Sequence, residues 1–475
     1  MPFKVNFFSA ALWAILLLAF LVRVINLNYN SPFLDEAIYV VLGKKILSGN
    51  FAEVASSITW VGGFPFFYPT ISAIFFSIGG ILATRFFNVI LGTIVVFLTY
   101  QLAKQLFPSK EDWTRTTVGL IAAALMATSA IPISSSRLAN YDMLAVTIFL
   151  VGLIFLVKAI FEGEKNWYLI SVLVLFVSFL AKYVVAIFFP FFLILTIWLA
   201  AKTKNQEMTT GILKYFWLPL IFLTLIYGGL NFSSLKGYFV NQAFQESSSA
   251  WGILQIFWRY TFIYYILSSG AFILLFLKKQ VFILAQTLLL LAISLVPLVA
   301  HLLKGNILSA HQHTIFSQIF ILPLAGVFFL LIIKKNRKIG ILLATTLVIF
   351  NLFLSIPKVK ALESFWPNTN QAVEIIKNNV SANDKILAEA DGVVTIALYD
   401  KLPTENITGP FYFSYQNQTG LPAYLQAVGN GYFNLFQLDG TIFRQNEIAE
   451  IESLANQKYS LIYLEDKIKI YKLQT

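Results

Sequence analysis

The stretch DMLAVTIFLVGLIFLVKAIF, residues 142–161, decides the fold class, because Asp142 and Lys158 are its only charged residues. An α-helix needs about 20 consecutive apolar residues to cross the hydrocarbon core of a bilayer. Comparable apolar runs recur along most of the chain. With this one they make eleven predicted spans, at residues 7–25, 83–106, 116–133, 142–161, 167–181, 183–201, 215–230, 254–277, 281–300, 314–333 and 339–355.

The composition agrees with a multi-pass membrane protein. Of the 475 residues, 58% are hydrophobic and 12% are charged, whereas soluble domains average about 25% charged residues. A soluble enzyme, a disordered chain and a collagen-like chain are therefore excluded. The chain has no cysteine, so disulfides, thiolate metal sites and cysteine nucleophiles are excluded as well.

The net charge of +11 divides unevenly along the chain. Residues 1–355 hold 24 basic and 10 acidic residues, and residues 356–475 hold 10 basic and 13 acidic residues. Positive charges cluster at span ends, which predicts a cytoplasmic N-terminus by the positive-inside rule. An odd number of spans then places the C-terminal part outside a plasma or inner membrane. The basic residues form no patch typical of nucleic-acid binding.

We predict two domains, a polytopic α-helical membrane domain at 1–355 and a soluble extracytoplasmic α/β domain at 356–475. In the long outer loop at 26–82, Ser31 and Pro32 followed by Asp35 and Glu36 indicate a helix start with a Ser31 cap. Residues 65–79 are apolar but short, which favours a re-entrant or interfacial helix. In the C-terminal domain we predict helices at 373–380, 423–428 and 448–456 and strands at 385–389, 433–438, 459–464 and 467–473.

Ionisable groups at span ends are the candidate functional residues, because burying a charge near lipid is costly. All of them are predicted on the outer side. A carboxylate can act as a general base, and Arg or Lys can hold a phosphate. The acids are Asp35, Glu36 and Asp142, and the cations are Arg85, Arg137, Lys182 and Lys304; His301, His311 and His313 lie on the same side.

Simpler interpretations remain open for each group. The acids could complement helix dipoles, and Arg85 and Arg137 could snorkel towards the headgroups. Lys182 and Lys304 run against the positive-inside bias, which favours a function for them. A divalent cation shared by the three acids is an alternative, and one of the histidines, His313, could contact phosphate.

Seven short motifs follow one another along the chain: SPFLDEAIY (31–39), LSGN (47–50), PFFY (65–68), ATRFFN (83–88), SRLANYDML (136–144), AKY (181–183) and KGN (304–306). Their order over residues 1–330 resembles that of the GT-C glycosyltransferases, in particular the protein O-mannosyltransferases and lipid A aminoarabinose transferases. The chain departs from that pattern at Gly62-Gly63-Phe64, where some relatives carry a charge, and at Tyr183, where relatives often have Gly.

The resemblance implies transfer of a sugar from a polyprenyl-phosphate carrier, usually with inversion, to a protein, lipid or glycan acceptor on the non-cytoplasmic face. It implies that Asp35, with Glu36 beside it, is the catalytic acid of the first loop and Asp142 the second loop acid. Arg85, Arg137, Lys182 with Tyr183, and Lys304, together with His313, would bind the donor phosphate or sugar.

Two other classes of protein also account for charges near a membrane. A transporter or flippase for a lipid-linked or anionic substrate needs them too, although paired repeats and broken midplane helices are not evident in the sequence. A membrane scaffold whose C-terminal domain binds a partner is the third class.

Overall fold

The computed structural model describes residues 3–107, 109, 111–203, 206–240 and 248–474. Two compact units divide the chain. We call Met1–Leu27, Asn50–Tyr68 and Thr84–Val359 the membrane unit, and Asn28–Gly49, Pro69–Ala83 and Lys360–Thr475 the mixed unit. The predicted domain boundary at 355/356 lies close to the last of these divisions, and parts of the predicted outer loop fall in the mixed unit.

Most of the described chain is helical. The helices are α1 Phe3–Val24, α2 Leu34–Leu47, α3 Phe51–Ser56, α4 Tyr68–Leu106, α5 Asp112–Thr128, α6 Ala130–Arg137, α7 Asp142–Glu162, α8 Lys165–Ala181, α9 Phe189–Thr203, α10 Gln206–Gly211, α11 Leu218–Leu230, α12 Phe232–Tyr238, α13 Ala250–Leu277, α14 Val281–Ser294, α15 Val296–Lys304, α16 Ala310–Lys335, α17 Arg337–Glu363, α18 Asn370–Asn379, α19 Asp391–Leu398, α20 Leu421–Gly429 and α21 Gln445–Ala455.

Among the described residues, eight helices are long and apolar enough to cross a membrane, and nine if α5 and α6, which meet at 58°, form one broken span. The polytopic α-helical prediction is confirmed, but the count of eleven spans is not. The predicted runs at 167–181 and 183–201 correspond to shorter apolar helices at Lys165–Ala181 and Tyr183–Ile197.

Helix α16 lies at the centre of the membrane unit, packed against α5, α13 and α14. Small residues allow the close approach of α5 and α16: a Cβ at Gly326 would lie 2.6 Å from the Val118 carbonyl oxygen. Such small-residue contacts are a main way in which helices associate within a bilayer. Aromatic rings fill the space beside α16, with Phe149 5.3 Å from Phe188 and 5.6 Å from Phe316 between ring centroids.

The structure differs from the sequence prediction at the start of α2, and it adds a break within α4. The Ser31 cap is wrong: α2 begins at Leu34, and its Phe33 N–H is satisfied by the Glu36 carboxylate at 2.7 Å. Ser31 instead accepts a hydrogen bond from the Thr369 N–H at 3.0 Å, a partner that is remote in the sequence. Helix α4 is interrupted at Gly79 and Gly80, where Gly80 has φ +65°, so the helix predicted within 65–79 is a separate segment before the break.

The mixed unit contains a five-stranded sheet in the order β2-β1-β5-β7-β6. Strand β1 is parallel to β2 and β5, whereas β7 is antiparallel to β5 and β6. The predicted α/β character and the predicted strands at 459–464 and 467–473 are confirmed, while α19 and the short strands β2 to β4 were not predicted. The strands are β1 Ile386–Ala388, β2 Ile407–Thr408, β3 Ser414–Tyr415, β4 Gln418–Thr419, β5 Leu435–Leu438, β6 Tyr459–Glu465 and β7 Ile468–Leu473.

Helices cover both faces of this sheet, so β5 is buried throughout. Phe436 and Leu438 join one apolar cluster, and Leu435 joins the other. Alternate side chains of a strand point to opposite faces. The strand is apolar except for Gln437, whose buried amide donates to Asp439 Oδ2 at 2.9 Å, and a mainly apolar strand is expected where a sheet is covered on both faces.

Candidate active site

A buried ion pair joins the beginning of α7 to the end of α8. The Lys182 Nζ donates to Asp142 Oδ1, and the two side chains are 5% and 1% exposed. The ring of Tyr141 also faces the ammonium, with its centroid 4.9 Å from Nζ. A charge in the interior of a protein needs such partners, since an unpaired charge is strongly destabilising. Asp142 and Lys182, both predicted as site residues, are therefore brought together.

The backbone around Lys182 is held by the segment that precedes α4. Helix α8 ends at Ala181, and Lys182 is extended, with φ −154° and ψ 119°. The Tyr183 N–H donates to the Gly62 carbonyl at 2.8 Å, and the Phe64 N–H donates to the Leu180 carbonyl at 2.6 Å. These two hydrogen bonds fix where the Lys182 side chain emerges.

Two glycines make that pairing possible. A Cβ at Gly63 would lie 2.4 Å from the Ala181 carbonyl oxygen, and one at Gly62 would lie 2.8 Å from the Tyr141 Oη. No side chain fits at either position without moving its neighbours. Gly62-Gly63 was noted in the sequence only because some relatives carry a charge in this segment. Glycine is also the residue used where backbone segments approach closely, and that signal could have indicated the contact with α8.

Tyrosines surround the same segment. The Tyr183 and Tyr227 hydroxyls are 2.5 Å apart, and the Tyr183 and Tyr238 rings meet edge to face at 5.6 Å. Tyr183 was predicted from its place beside Lys182. Tyr227 and Tyr238 were not, because nothing local in the sequence distinguishes them from other aromatic residues of the spans.

Asn88 and Asn140 shape the loop that leads to Asp142. The Asn88 Nδ2 donates to the carbonyls of Leu138 at 2.6 Å and Asn140 at 2.8 Å. The Asp142 N–H donates to Asn140 Oδ1 at 3.1 Å. Both asparagines lie within the sequence motifs but had no predicted role; the structure shows that they position the acid.

The two predicted arginines bind the end of α1. Arg137 donates to the carbonyls of Arg23, Ile25 and Asn26 at 3.1, 2.6 and 2.9 Å. Arg85 is fully buried and donates to the Leu27 carbonyl at 3.1 Å. These bonds are what unsatisfied carbonyls at a helix C-terminus require. Contact of Arg85 and Arg137 with a donor phosphate stays a prediction.

The histidines cluster between α15 and α16. His301 Nε2 is 2.8 Å from His313 Nδ1, and His301 Nδ1 is 2.6 Å from the Asn306 carbonyl oxygen. Lys304 is the last residue of α15 and is exposed. His311 and His313 both lie in the first turn of α16.

Asp35 and Glu36 belong to the mixed unit, whereas the other predicted site residues belong to the membrane unit. Glu36 is fully buried and caps α2, and Asp35 is partly exposed in the first turn of the same helix. Helix α2 packs against α19, where a Cβ at Gly392 would lie 3.1 Å from the Ala37 Cβ. A catalytic role for Asp35 or Glu36 stays a prediction.

Within the described ranges, no three His, Asp or Glu side chains are grouped so that they could hold a metal ion. A divalent cation shared by Asp35, Glu36 and Asp142 stays an alternative, and the proposed function does not depend on it.

Comparison with known proteins supports the predicted class. The model of the family described as dolichyl-phosphate-mannose-protein mannosyltransferase matches residues 64–228. The matched segment begins at Phe64, directly after Gly62-Gly63, and it includes the Asp142–Lys182 pair and Tyr183. It covers about a third of the chain. Among curated proteins, none matches the sequence significantly.

Two solved enzymes share the fold over nearly the whole chain. ArnT from Cupriavidus metallidurans is 11% identical in its apo state, with a TM-score of 0.62 and coverage of 98% of this chain and 97% of ArnT. Its structure with undecaprenyl phosphate is 10% identical, with a TM-score of 0.60 and the same coverage.

The apo oligosaccharyltransferase from Archaeoglobus fulgidus is 13% identical, with a TM-score of 0.63 and coverage of 97% of this chain and 73% of that one. The same archaeal enzyme, AglB, in complex with an inhibitory peptide and a dolichol-phosphate is 12% identical, with a TM-score of 0.54 and coverage of 100% and 75%.

The chain therefore has the GT-C fold, with a C-terminal domain that contains a sheet, as predicted from the sequence motifs. The family match and the shared fold together support the class of membrane glycosyltransferases that use polyprenyl-phosphate-linked donors.

Proposed function

We propose that this protein transfers a sugar from a polyprenyl-phosphate-linked donor to a hydroxyl of a protein, lipid or glycan at the extracytoplasmic face of the cell membrane. The N-terminus is cytoplasmic in this proposal, and the C-terminal α/β domain is outside. The observation that carries it is the buried Asp142–Lys182 pair, in a chain that has the fold of ArnT and AglB, whose structures contain undecaprenyl phosphate and dolichol-phosphate.

Lys182 binds the donor phosphate in this proposal. An ammonium is a compact point charge suited to phosphate, and the ion pair with Asp142 holds the Lys182 side chain in position. The phosphate then shares the ammonium with the carboxylate. Tyr183 packs beside the sugar through its ring face, and Arg85, Arg137, Lys304 and His313 contribute further contacts to the donor.

Asp35 acts as the general base of the proposed reaction, with Glu36 holding the start of its helix. The carboxylate takes the proton of the acceptor hydroxyl, and the oxygen attacks the anomeric carbon from the face opposite the phosphate. The bond between the anomeric carbon and the phosphate oxygen breaks, and the phosphate leaves with the electron pair. A single displacement of this kind inverts the configuration of the sugar.

The test is a transfer assay with purified protein in lipid and radiolabelled polyprenyl-phosphate sugars. Asp35→Asn is expected to lower turnover at least 100-fold, a loss in the range that general-base catalysis contributes. Lys182→Gln is expected to lower turnover by about 100-fold as well, because it removes the charge that stabilises the departing phosphate. Glu53→Gln is the matched control, because Glu53 is an exposed acid of the same predicted loop.

Wild-type turnover in folded Asp35→Asn would remove that residue from the mechanism. Movement of labelled lipid across vesicles without transfer to any acceptor would replace the proposal with a transporter or flippase.

A further inference from the structure

Two histidines of the membrane unit, His301 and His313, form a hydrogen-bonded chain, and the proposed function gives His313 a contact to the donor without saying to which group. The chain runs from the Asn306 carbonyl oxygen through His301 to His313, over contacts of 2.6 and 2.8 Å. Within the described residues, the far nitrogen of this chain, His313 Nε2, is enclosed and has no hydrogen-bond partner. A buried polar atom without a partner costs free energy unless a ligand satisfies it.

The hydrogen bonds from Asn306 through His301 to His313 determine which ring nitrogen carries each proton. A carbonyl oxygen only accepts, so His301 Nδ1 is protonated and, in a neutral ring, its Nε2 is a lone-pair acceptor. The contact with His313 then requires that His313 Nδ1 donates. In a neutral His313 the remaining nitrogen, Nε2, is therefore unprotonated.

We propose that this chain presents the unprotonated Nε2 of His313 as the acceptor for a hydroxyl of the donor's sugar. This inference rests on the proposed function and makes His313 a residue that recognises the sugar and His301 a residue that positions it. An ionised phosphate oxygen cannot satisfy the unprotonated Nε2, because it carries no proton to donate and is itself an acceptor.

The surroundings of His313 favour the sugar over other hydroxyl-bearing groups. Lys304 follows His301 by three residues on α15, about one helical turn, and His301 contacts His313, so a phosphate bound by Lys304 would lie near these imidazoles. In a polyprenyl-phosphate sugar the first ring is bonded directly to that phosphate. Its hydroxyls are therefore the donors expected closest to His313 Nε2.

The experiment is 15N NMR of selectively histidine-labelled protein in lipid nanodiscs, which is tractable because the chain contains only three histidines. The 15N chemical shift separates protonated from unprotonated ring nitrogens. Single changes to Gln at each histidine assign the signals, and His311→Gln is also the matched control, since only its backbone carbonyl has a described hydrogen bond.

In nanodiscs without donor or polyprenyl phosphate, His313 is expected to show a protonated Nδ1 and an unprotonated Nε2. Addition of mannosyl-phosphoryl polyprenol should move the Nε2 signal towards that of a hydrogen-bonded acceptor, whereas polyprenyl phosphate without sugar should not. His301→Leu should mix the two His313 tautomers, because it removes the acceptor for Nδ1–H.

A protonated Nε2 in the empty protein, or an equal response to the sugar-free lipid, would overturn the inference. Lipid binding is followed separately by native mass spectrometry. If the sugar lipid binds and the Nε2 signal stays in place, this inference fails alone; if neither lipid binds, the proposed function fails with it.

Kinetics give a second readout. His313→Leu should raise KM for the sugar donor about 2- to 10-fold, the value of one neutral hydrogen bond. His313→Gln should have a smaller effect, since its amide oxygen can still accept. Equal KM values for the wild type and His313→Leu would contradict recognition of the sugar by this residue.

Discussion

Breaking the Asp142–Lys182 pair one partner at a time tests whether this site is built on buried charge. Both side chains are at most 5% exposed, so either single change leaves a charge buried without its counter-ion. Removal of one partner of a buried pair typically costs about 3–5 kcal/mol. We therefore expect Asp142→Asn and Lys182→Met each to lower the free energy of unfolding by about that amount.

The double change isolates the interaction between the two groups. Once both charges are absent, no buried charge remains uncompensated, so Asp142→Asn with Lys182→Met should cost less than the sum of the single changes, by about 2 kcal/mol or more. The fluorescence of the nine tryptophans reports unfolding in mixed micelles. Sugar transfer is assayed in parallel, and we expect it to stay low even where stability returns.

Asp112 and Lys104 form the matched control pair. Asp112 also lies in the first turn of a helix, its Oδ1 is 3.2 Å from the Lys104 Nζ, and the side chains are 67% and 26% exposed. An exposed pair is worth about 0–1 kcal/mol, so Asp112→Asn should change stability little. Equal costs in the two pairs, or strict additivity at Asp142 and Lys182, would refute the buried-charge argument.

Three further changes test other parts of the structure. Gly63→Ala should destabilise by about 1–3 kcal/mol through overpacking against the Ala181 carbonyl, while Gly228→Ala, in a helix with open space around it, should be neutral or slightly stabilising in the same thermal unfolding assay. Glu389→Gln should cost about 1–3 kcal/mol, because the buried carboxylate accepts the backbone N–H groups of Asp439, Gly440, Ile442 and Phe443; an unchanged unfolding midpoint would contradict this. Burial raises the pKa of Asp391 from 3.8 to about 6, so the folded state holds this proton more tightly and stability should fall as pH rises from about 4 to 6, by at most about 3 kcal/mol. Asp391→Asn should flatten that part of the pH profile of unfolding and stabilise the protein at pH 7.

The class of fold could be predicted from the sequence because each membrane-spanning helix needs a run of about 20 apolar residues, which hydropathy detects directly. The sequence predicted Lys182 for a related reason: a lysine on the outer side has no topological role, so a functional one was the better hypothesis. The pairing of Lys182 with Asp142 could not be predicted from the sequence. Asp142 lies 40 residues away, and a start-of-helix acid is equally explained by the helix dipole.

The arginines show where such reasoning is ambiguous. Arg137 was predicted to bind donor, and the structure shows its guanidinium bonded to carbonyls at the end of α1. Arg23, which was not predicted, is fully buried on α1 and donates to the Ser136 hydroxyl at 3.1 Å. A charged residue inside a membrane protein indicates that something must satisfy it, and the sequence does not say whether that partner is substrate or backbone.

The glycine pair before α4 connects local backbone geometry to the proposed chemistry. Position 63 has no room for a Cβ because the chain there lies against the end of α8, and that contact sets the extended conformation from which Lys182 leaves its helix. A charged side chain at position 63 would require α8 to end differently, because a Cβ there would lie 2.4 Å from the Ala181 carbonyl oxygen. Gly63 and Lys182, the residue proposed to bind phosphate, are therefore structurally coupled, and a substitution at either position is expected to alter the conformation at the other.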